Sequence, residues 1–322
     1  MGDIGGRYGH TLAGYEIEAT FGTDPAATRI VWPWDLASIK PSGVGGKRTP
    51  SYGIGGGRQP RAAYIEHDIE HGFSIEGSIL NDSPTNSILA MALADAVPNV
   101  TTGAITLSDL IDSFSFEHAP LLWAGTDDFW LRKACRINQL TLTQGSGFLK
   151  GAADVFCRKP TLGTAEIATT TVQISDLVYP AVRPFRTGDW TVTFANGLST
   201  PGTPTEIVTT IDNKLERIPG SGSDDAREYF PTQRDIFGTI KMPKEANQLR
   251  DIAVADPNAS AGQTDMTQVW SKNAAAEYIS LAMTDIVVLS TPDIGLAEGK
   301  KSAIQETLAY HMIGALTADV KA

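Results

Sequence analysis

Three phrases recur in the same order in the two halves of this 322-residue chain. Arg29-Ile-Val-Trp-Pro-Trp-Asp-Leu-Ala-Ser-Ile-Lys-Pro-Ser42 has a counterpart in Glu206-Ile-Val-Thr-Thr-Ile-Asp-Asn-Lys-Leu-Glu-Arg-Ile-Pro-Gly-Ser221. His71-Gly-Phe-Ser-Ile-Glu-Gly-Ser-Ile-Leu80 corresponds to Arg234-Asp-Ile-Phe-Gly-Thr-Ile-Lys-Met242. Arg136-Ile-Asn-Gln-Leu-Thr-Leu-Thr143 matches Met283-Thr-Asp-Ile-Val-Val-Leu-Ser290. A duplicated unit can stand in for two subunits of a symmetric ring, so the pattern points to assembly. The competing explanation is that any two β-rich halves share a strand–turn–strand–helix order.

The chain is long enough for two units with their own cores. Its 42% hydrophobic and 20% charged residues are ordinary for a globular protein. No apolar run reaches the ~20 residues of a membrane helix. The start, Met1-Gly-Asp-Ile-Gly-Gly-Arg7, has neither a signal-peptide core nor the Ser or Thr of a myristoylation signal. These features predict a soluble product of a cytoplasm. A net charge of −11 argues against wrapping nucleic acid, which needs clustered Lys and Arg. It suits a surface that DNA slides past without sticking.

Residues 65–79 alternate without a break, which predicts one long strand. Ile65, Ile69, Phe73, Ile75 and Ile79 face a core; Glu66, Asp68, Glu70 and Glu76 form a polar stripe. The ordinary meaning of such a stripe is a solvated sheet face. The functional meaning is an acidic wall enclosed by an assembly. Gln139 to Thr143 and Phe148 to Phe156 flank Gly145-Ser-Gly147, a hairpin pattern. Cys135 and Cys157 stand equally far from Ser146, so the hairpin predicts neighbouring, reduced thiols.

The pattern divides the chain into an N-terminal arm at 1–13, a first β unit at 14–160, a linker at 161–184 and a second β unit at 185–322. Helices are predicted at Pro84 to Val97, at Glu245 to Ala255 and, with its alanine-rich end, at Asp265 to Glu277. Between Ser42 and Arg61 lies a glycine-rich loop carrying Lys47, Arg48, Tyr52, Arg58 and Arg61.

Several phrases resemble the tail tube (major tail) proteins of tailed bacterial and archaeal viruses. Tyr15-Glu-Ile-Glu-Ala-Thr-Phe-Gly-Thr-Asp-Pro25 is similar to that family's opening, and Gly72-Phe-Ser-Ile-Glu-Gly-Ser78 to the strand before its helix. The hairpin around Ser146, Thr210-Ile-Asp-Asn-Lys-Leu215 and Phe237-Gly-Thr239 resemble its later phrases. The resemblance implies a mainly β fold: two tandem tail-tube-like β-sandwich or barrel domains, each with a flanking helix. It implies a structural virion protein made in the host cytoplasm and located in the tail. Its copies form rings that stack, with other tail proteins, into a conduit for DNA ejection. Three chains would make a pseudo-sixfold ring, or six chains if the duplication is false. Glu66, Asp68, Glu70 and Glu76 become candidates for lining the lumen. Lys47, Arg48, Tyr52, Arg58 and Arg61 become candidates for contacting the next ring.

Other chemistry is weaker. His67-Asp-Ile-Glu-His71 matches a zinc-peptidase pattern, but on a strand the two imidazoles lie about 13 Å apart. No phosphate loop, dinucleotide fingerprint or nucleophile elbow is present. We therefore expect no enzyme activity, cofactor, metal or membrane partner. The alternatives are another virion or surface-layer component, such as a decoration or adhesion protein, and a zinc hydrolase.

Overall fold

The computed structural model describes residues 11–25, 29–42, 47–51, 63–67, 71–80, 88–94, 102–120, 129–167, 174, 177, 183–195, 204–220, 226–243, 262–272, 277–289 and 305–321. The N-terminal half contributes β1 (Thr11–Ile17), β2 (Ile30–Val31), β3 (Trp34–Ser42), β4 (Lys47–Ser51), β5 (Ala63–His67) and β6 (His71–Ile79). A short helix α1 (Ile88–Leu93) precedes β7 (Ala104–Ile105), β8 (Phe114–Pro120), β9 (Phe129–Gln144), β10 (Lys150–Cys157) and β11 (Thr161–Gly163). The C-terminal half contributes β12 (Trp190–Ala195), β13 (Glu206–Asp212), β14 (Leu215–Pro219), β15 (Ala226–Pro231) and β16 (Asp235–Pro243). It ends with β17 (Gln263–Lys272), β18 (Glu277–Val288), β19 (Gln305–Met312) and β20 (Leu316–Lys321).

Among the described residues all pairings are antiparallel, and most strands join one 16-stranded sheet. In the first half neighbours run β3–β6–β10–β9–β8–β1. In the second they run β13–β16–β19–β18–β17–β12. Each half also inserts a two-stranded hairpin between its first two strands of that order: β4–β5 and β14–β15.

The long strands β9 and β18 each change partners midway. Up to Cys135, β9 pairs with β8 and β11; from Arg136 it pairs with β10, and from Gln139 with β13. On one edge β18 pairs first with β20 and then with β19. A non-glycine residue with positive φ marks both crossings, Ala134 at 55° and Asp285 at 51°. Such backbone is costly for a residue with a Cβ. Each is held by a carboxylate: the Ala134 amide donates to Glu18 Oε1 at 2.8 Å, the Asp285 amide to Asp265 Oδ1 at 3.1 Å. Two positions on, the cross-strand columns match. Gly72 faces Phe156, which faces Arg136; Phe237 faces His311, which faces Val287.

One hydrophobic cluster holds Trp34, Phe73, Phe116 and Leu140 from the first half with Ile211, Trp270, Leu281 and Tyr310 from the second. Trp32 packs edge-on against Tyr15, Trp34 and Phe116, and Phe73 stacks on Phe116 at 4.8 Å between ring centres. Charged groups are buried beside this aromatic layer. Arg29 meets Asp24 at 2.9 Å and Glu117 at 3.8 Å, and Arg132 meets His118 Nδ1 at 2.9 Å.

One expectation changes, and two others fall only partly on described residues. Within the alternating run 65–79, β5 pairs with β4 and β6 pairs with β3 and β10, and residues 68–70 lie outside the described residues. The expected helix 265–277 is instead strand β17 as far as Lys272, with Thr264, Met266, Gln268, Trp270 and Lys272 all buried on one face. That period of two outweighs the helix propensity of alanines 274–276, which lie outside the described residues, as does the expected helix 245–255. The predicted helix 84–97 is described only at Ile88–Leu93, where every residue is buried.

Candidate assembly surface

The surface begins with the sheet face opposite the core. From β3 to β18 the sheet follows β3–β6–β10–β9–β13–β16–β19–β18. One face buries Phe73, Ile75, Val155, Leu140, Ile211, Ile240 and Tyr310. The other presents Ser74, Glu76, Asp154, Gln139, Thr141 and Thr239, all half-buried or exposed. Its charge is mixed: Lys40 stands 3.6 Å from Glu76, and Lys214 is paired with Asp235. That contact holds the Asp235 carboxyl below its ordinary range. Hydroxyls and amides interspersed with both signs bind water but offer no basic track for phosphates.

The two halves join through β9 and β13, paired from Asp212↔Gln139 to Ile207↔Gln144. On the polar face the Thr141 and Thr210 hydroxyls meet at 3.2 Å. On the core face the indole N–H of Trp270 donates to Gln144 Oε1 at 3.0 Å, and Gln268 Nε2 donates to Thr209 Oγ1 at 2.8 Å. The Thr209 and Tyr310 hydroxyls lie 2.7 Å apart, and burial raises the phenol pKa. Asn213, fully buried at the end of β13, donates to the carbonyls of Ala92 at 2.9 Å and Ile137 at 3.0 Å. Its side-chain oxygen accepts from Arg234 Nε at 2.9 Å. Every polar atom named here has a partner, which is what a buried joint requires.

The hairpin β14–β15 clamps this joint. Its Tyr229 ring packs on Phe156 at 5.6 Å, and its hydroxyl donates to the Cys157 carbonyl at 2.7 Å. Arg136 donates to the Tyr229 carbonyl and lies 3.5 Å from Glu228. Arg158 Nε donates to the Ala226 carbonyl at 2.9 Å. Among the described residues β3 pairs through one edge only, with β6.

Of the lumen candidates, Glu76 lies exposed on the polar face. Glu66 lies on β5, which pairs with β4. Asp68 and Glu70 lie outside the described residues, as do Tyr52, Arg58 and Arg61; Lys47 and Arg48 lie on β4. His71 belongs to strand β6 and His67 to β5, not to one helix, so the H-x-x-E-H spacing lacks the geometry that zinc needs. No group of three metal-ligating side chains occurs among the described residues. The Cys135 and Cys157 thiols are free, buried and in hydrogen-bonding contact, and burial pushes the Cys135 thiol well above its ordinary pKa. The β9–β13 joint and its clamp escaped sequence reasoning; the one available signal was the Tyr229–Phe230 pair in the hairpin.

A protein-family model described as phage tail tube protein matches residues 11–312. The chain belongs to the phage tail tube protein family. No curated protein matches it. As a family member it is a structural tail protein, a β-rich component of the virion tail. No helix among its described residues is long and apolar enough to cross a membrane.

Proposed function

We propose that this tail tube protein is an internally duplicated subunit whose copies close into rings, and that the rings stack into the conduit through which DNA is ejected. The observation that carries this reading is the strand order found twice, with the halves joined edge to edge through β9 and β13. Strand β3 holds in the first half the place that β13 holds in the second, and its second edge has no strand partner among the described residues. An open edge of this kind accepts a strand from another chain. Head-to-tail joining of such units generates a ring when the rotation closes. Three chains then give six similar units.

The polar face turns toward the bore in this reading. Mixed charges and hydroxyls let a polyanion pass without the counterion release that drives binding. Negative-stain electron microscopy of the purified chain tests the proposal. Hollow filaments built of rings with six similar units are expected; closed oligomers or flat arrays refute it.

A further inference from the structure

The second half carries an apolar patch where the first half is covered. Phe237, Ile313 and Leu289 are 36%, 54% and 64% exposed. Phe237 lies in the cross-strand row Phe237–His311–Val287, and Ile313 and Leu289 each lie two positions beyond it. The column Gly72–Phe156–Arg136 matches the column Phe237–His311–Val287, each two residues past the left-handed residue of its long strand. By this register Arg158 corresponds to Ile313 and Asn138 to Leu289, each two positions beyond its column.

In the first half these positions are where the second half's hairpin lands. Phe156 and Arg136 take Tyr229, Arg158 takes the Ala226 carbonyl, and Asn138 Oδ1 accepts the Leu215 amide at 2.9 Å. Of the matching positions in the second half, Ile313 and Leu289 are exposed and apolar, His311 is half-buried and Val287 buried, and no hairpin covers them among the described residues. Hairpin β4–β5 stands before β6 as β14–β15 stands before β16. Tyr64 lies eight positions before Gly72, as Tyr229 lies eight positions before Phe237.

We infer that the β4–β5 hairpin of one copy clasps the Phe237–Leu289–Ile313 patch of a second copy in the same ring. This rests on the ring reading above and fixes the hairpin stem as a contact around the ring instead of between rings. The occupant is set by the chain's own internal joint: it repeats between chains the packing already made within one.

Two experiments test it. The substitutions Leu289→Asp and Ile313→Asp change exposed residues and leave a folded chain by circular dichroism. Together they should lower ring and tube yield at least tenfold, whereas wild-type tube yield from that folded variant overturns the inference. In a Tyr64→Cys, Ile313→Cys chain, a short bismaleimide should give a covalent ladder that stops at the chain number of one ring. The native thiols are buried. A ladder running past that number places the hairpin between rings and overturns the proposal, as does the absence of cross-linked chains in tubes that form normally. If the wild-type chain forms no ring at all, the assembly reading fails first, which microscopy of the unmodified protein reports separately.

Discussion

Acid should loosen this subunit through one imidazole. His118 is buried, and its Nδ1 stands 2.9 Å from Arg132 Nη1. A guanidinium only donates, so Nδ1 accepts and the ring proton sits on Nε2. Protonating the ring would create a second buried cation facing the first. Burial, followed by the Arg132 charge, lowers the His118 pKa from 6.5 to about 3. The folded value lies below the unfolded one, so the unfolded chain takes up the proton first. The stability tied to neutral His118 is intact above pH 6.5 and is lost as pH falls toward 3. At ~1.4 kcal/mol per unit the loss is about 2 kcal/mol at pH 5 and approaches about 5 kcal/mol below pH 3. That is a large share of the ~5–15 kcal/mol that holds an ordinary domain. Urea unfolding of unassembled subunits at pH 7 and pH 5, wild type against His118→Gln, isolates the effect. Glutamine keeps an acceptor for Arg132 but does not titrate. Glu16, whose carboxyl is raised, and Asp189 and Asp235, whose carboxyls are lowered, are common to both chains and cancel in the difference. The wild type should lose about 2 kcal/mol more than the variant. Parallel losses would refute the neutral, arginine-facing histidine.

Two further substitutions probe the joint. A Cβ on Gly238 would lie 1.9 Å from the Val208 carbonyl oxygen and 2.8 Å from the Tyr310 hydroxyl, so Gly238→Ala should cost about 2–3 kcal/mol in urea unfolding; a cost under about 0.5 kcal/mol would mean the strands part freely there. Asn213→Ala strips hydrogen bonds from two buried carbonyls and from Arg234, and should cost about 2–4 kcal/mol, whereas an unchanged midpoint would show that water replaces the amide.

The sequence announced strands wherever alternation met a partner. The alternation of Gln139 to Thr143 and of Lys150 to Phe156 falls on strands β9 and β10, because half-buried sheet faces impose a period of two. It misled where propensity was set against periodicity: the alanines after Lys272 suggested a helix over a run whose even positions are all buried. The recurring phrase Glu206 to Ser221 divides between β13 and β14 at Lys214, a non-glycine residue with φ of 42°. The assembly surface was least legible. Its joint unites Gln144 with Trp270 and Asn213 with Ala92, partners more than a hundred residues apart that no local pattern links. Glu76 was recognisable as a surface carboxylate from its neighbours alone; the mixed charge around it depends on register across several strands.

Strand β9 also constrains how the chain is made. Its residues 139–144 have no lateral cover on that side until β13 has been synthesised, more than sixty residues later. A nascent polypeptide that has emerged only to Gly163 therefore displays a bare hydrogen-bonding ladder, with Leu140 and Leu142 along it, to any other nascent copy nearby. A fragment stopped there should stick to itself, and translation of the remainder is what heals the seam.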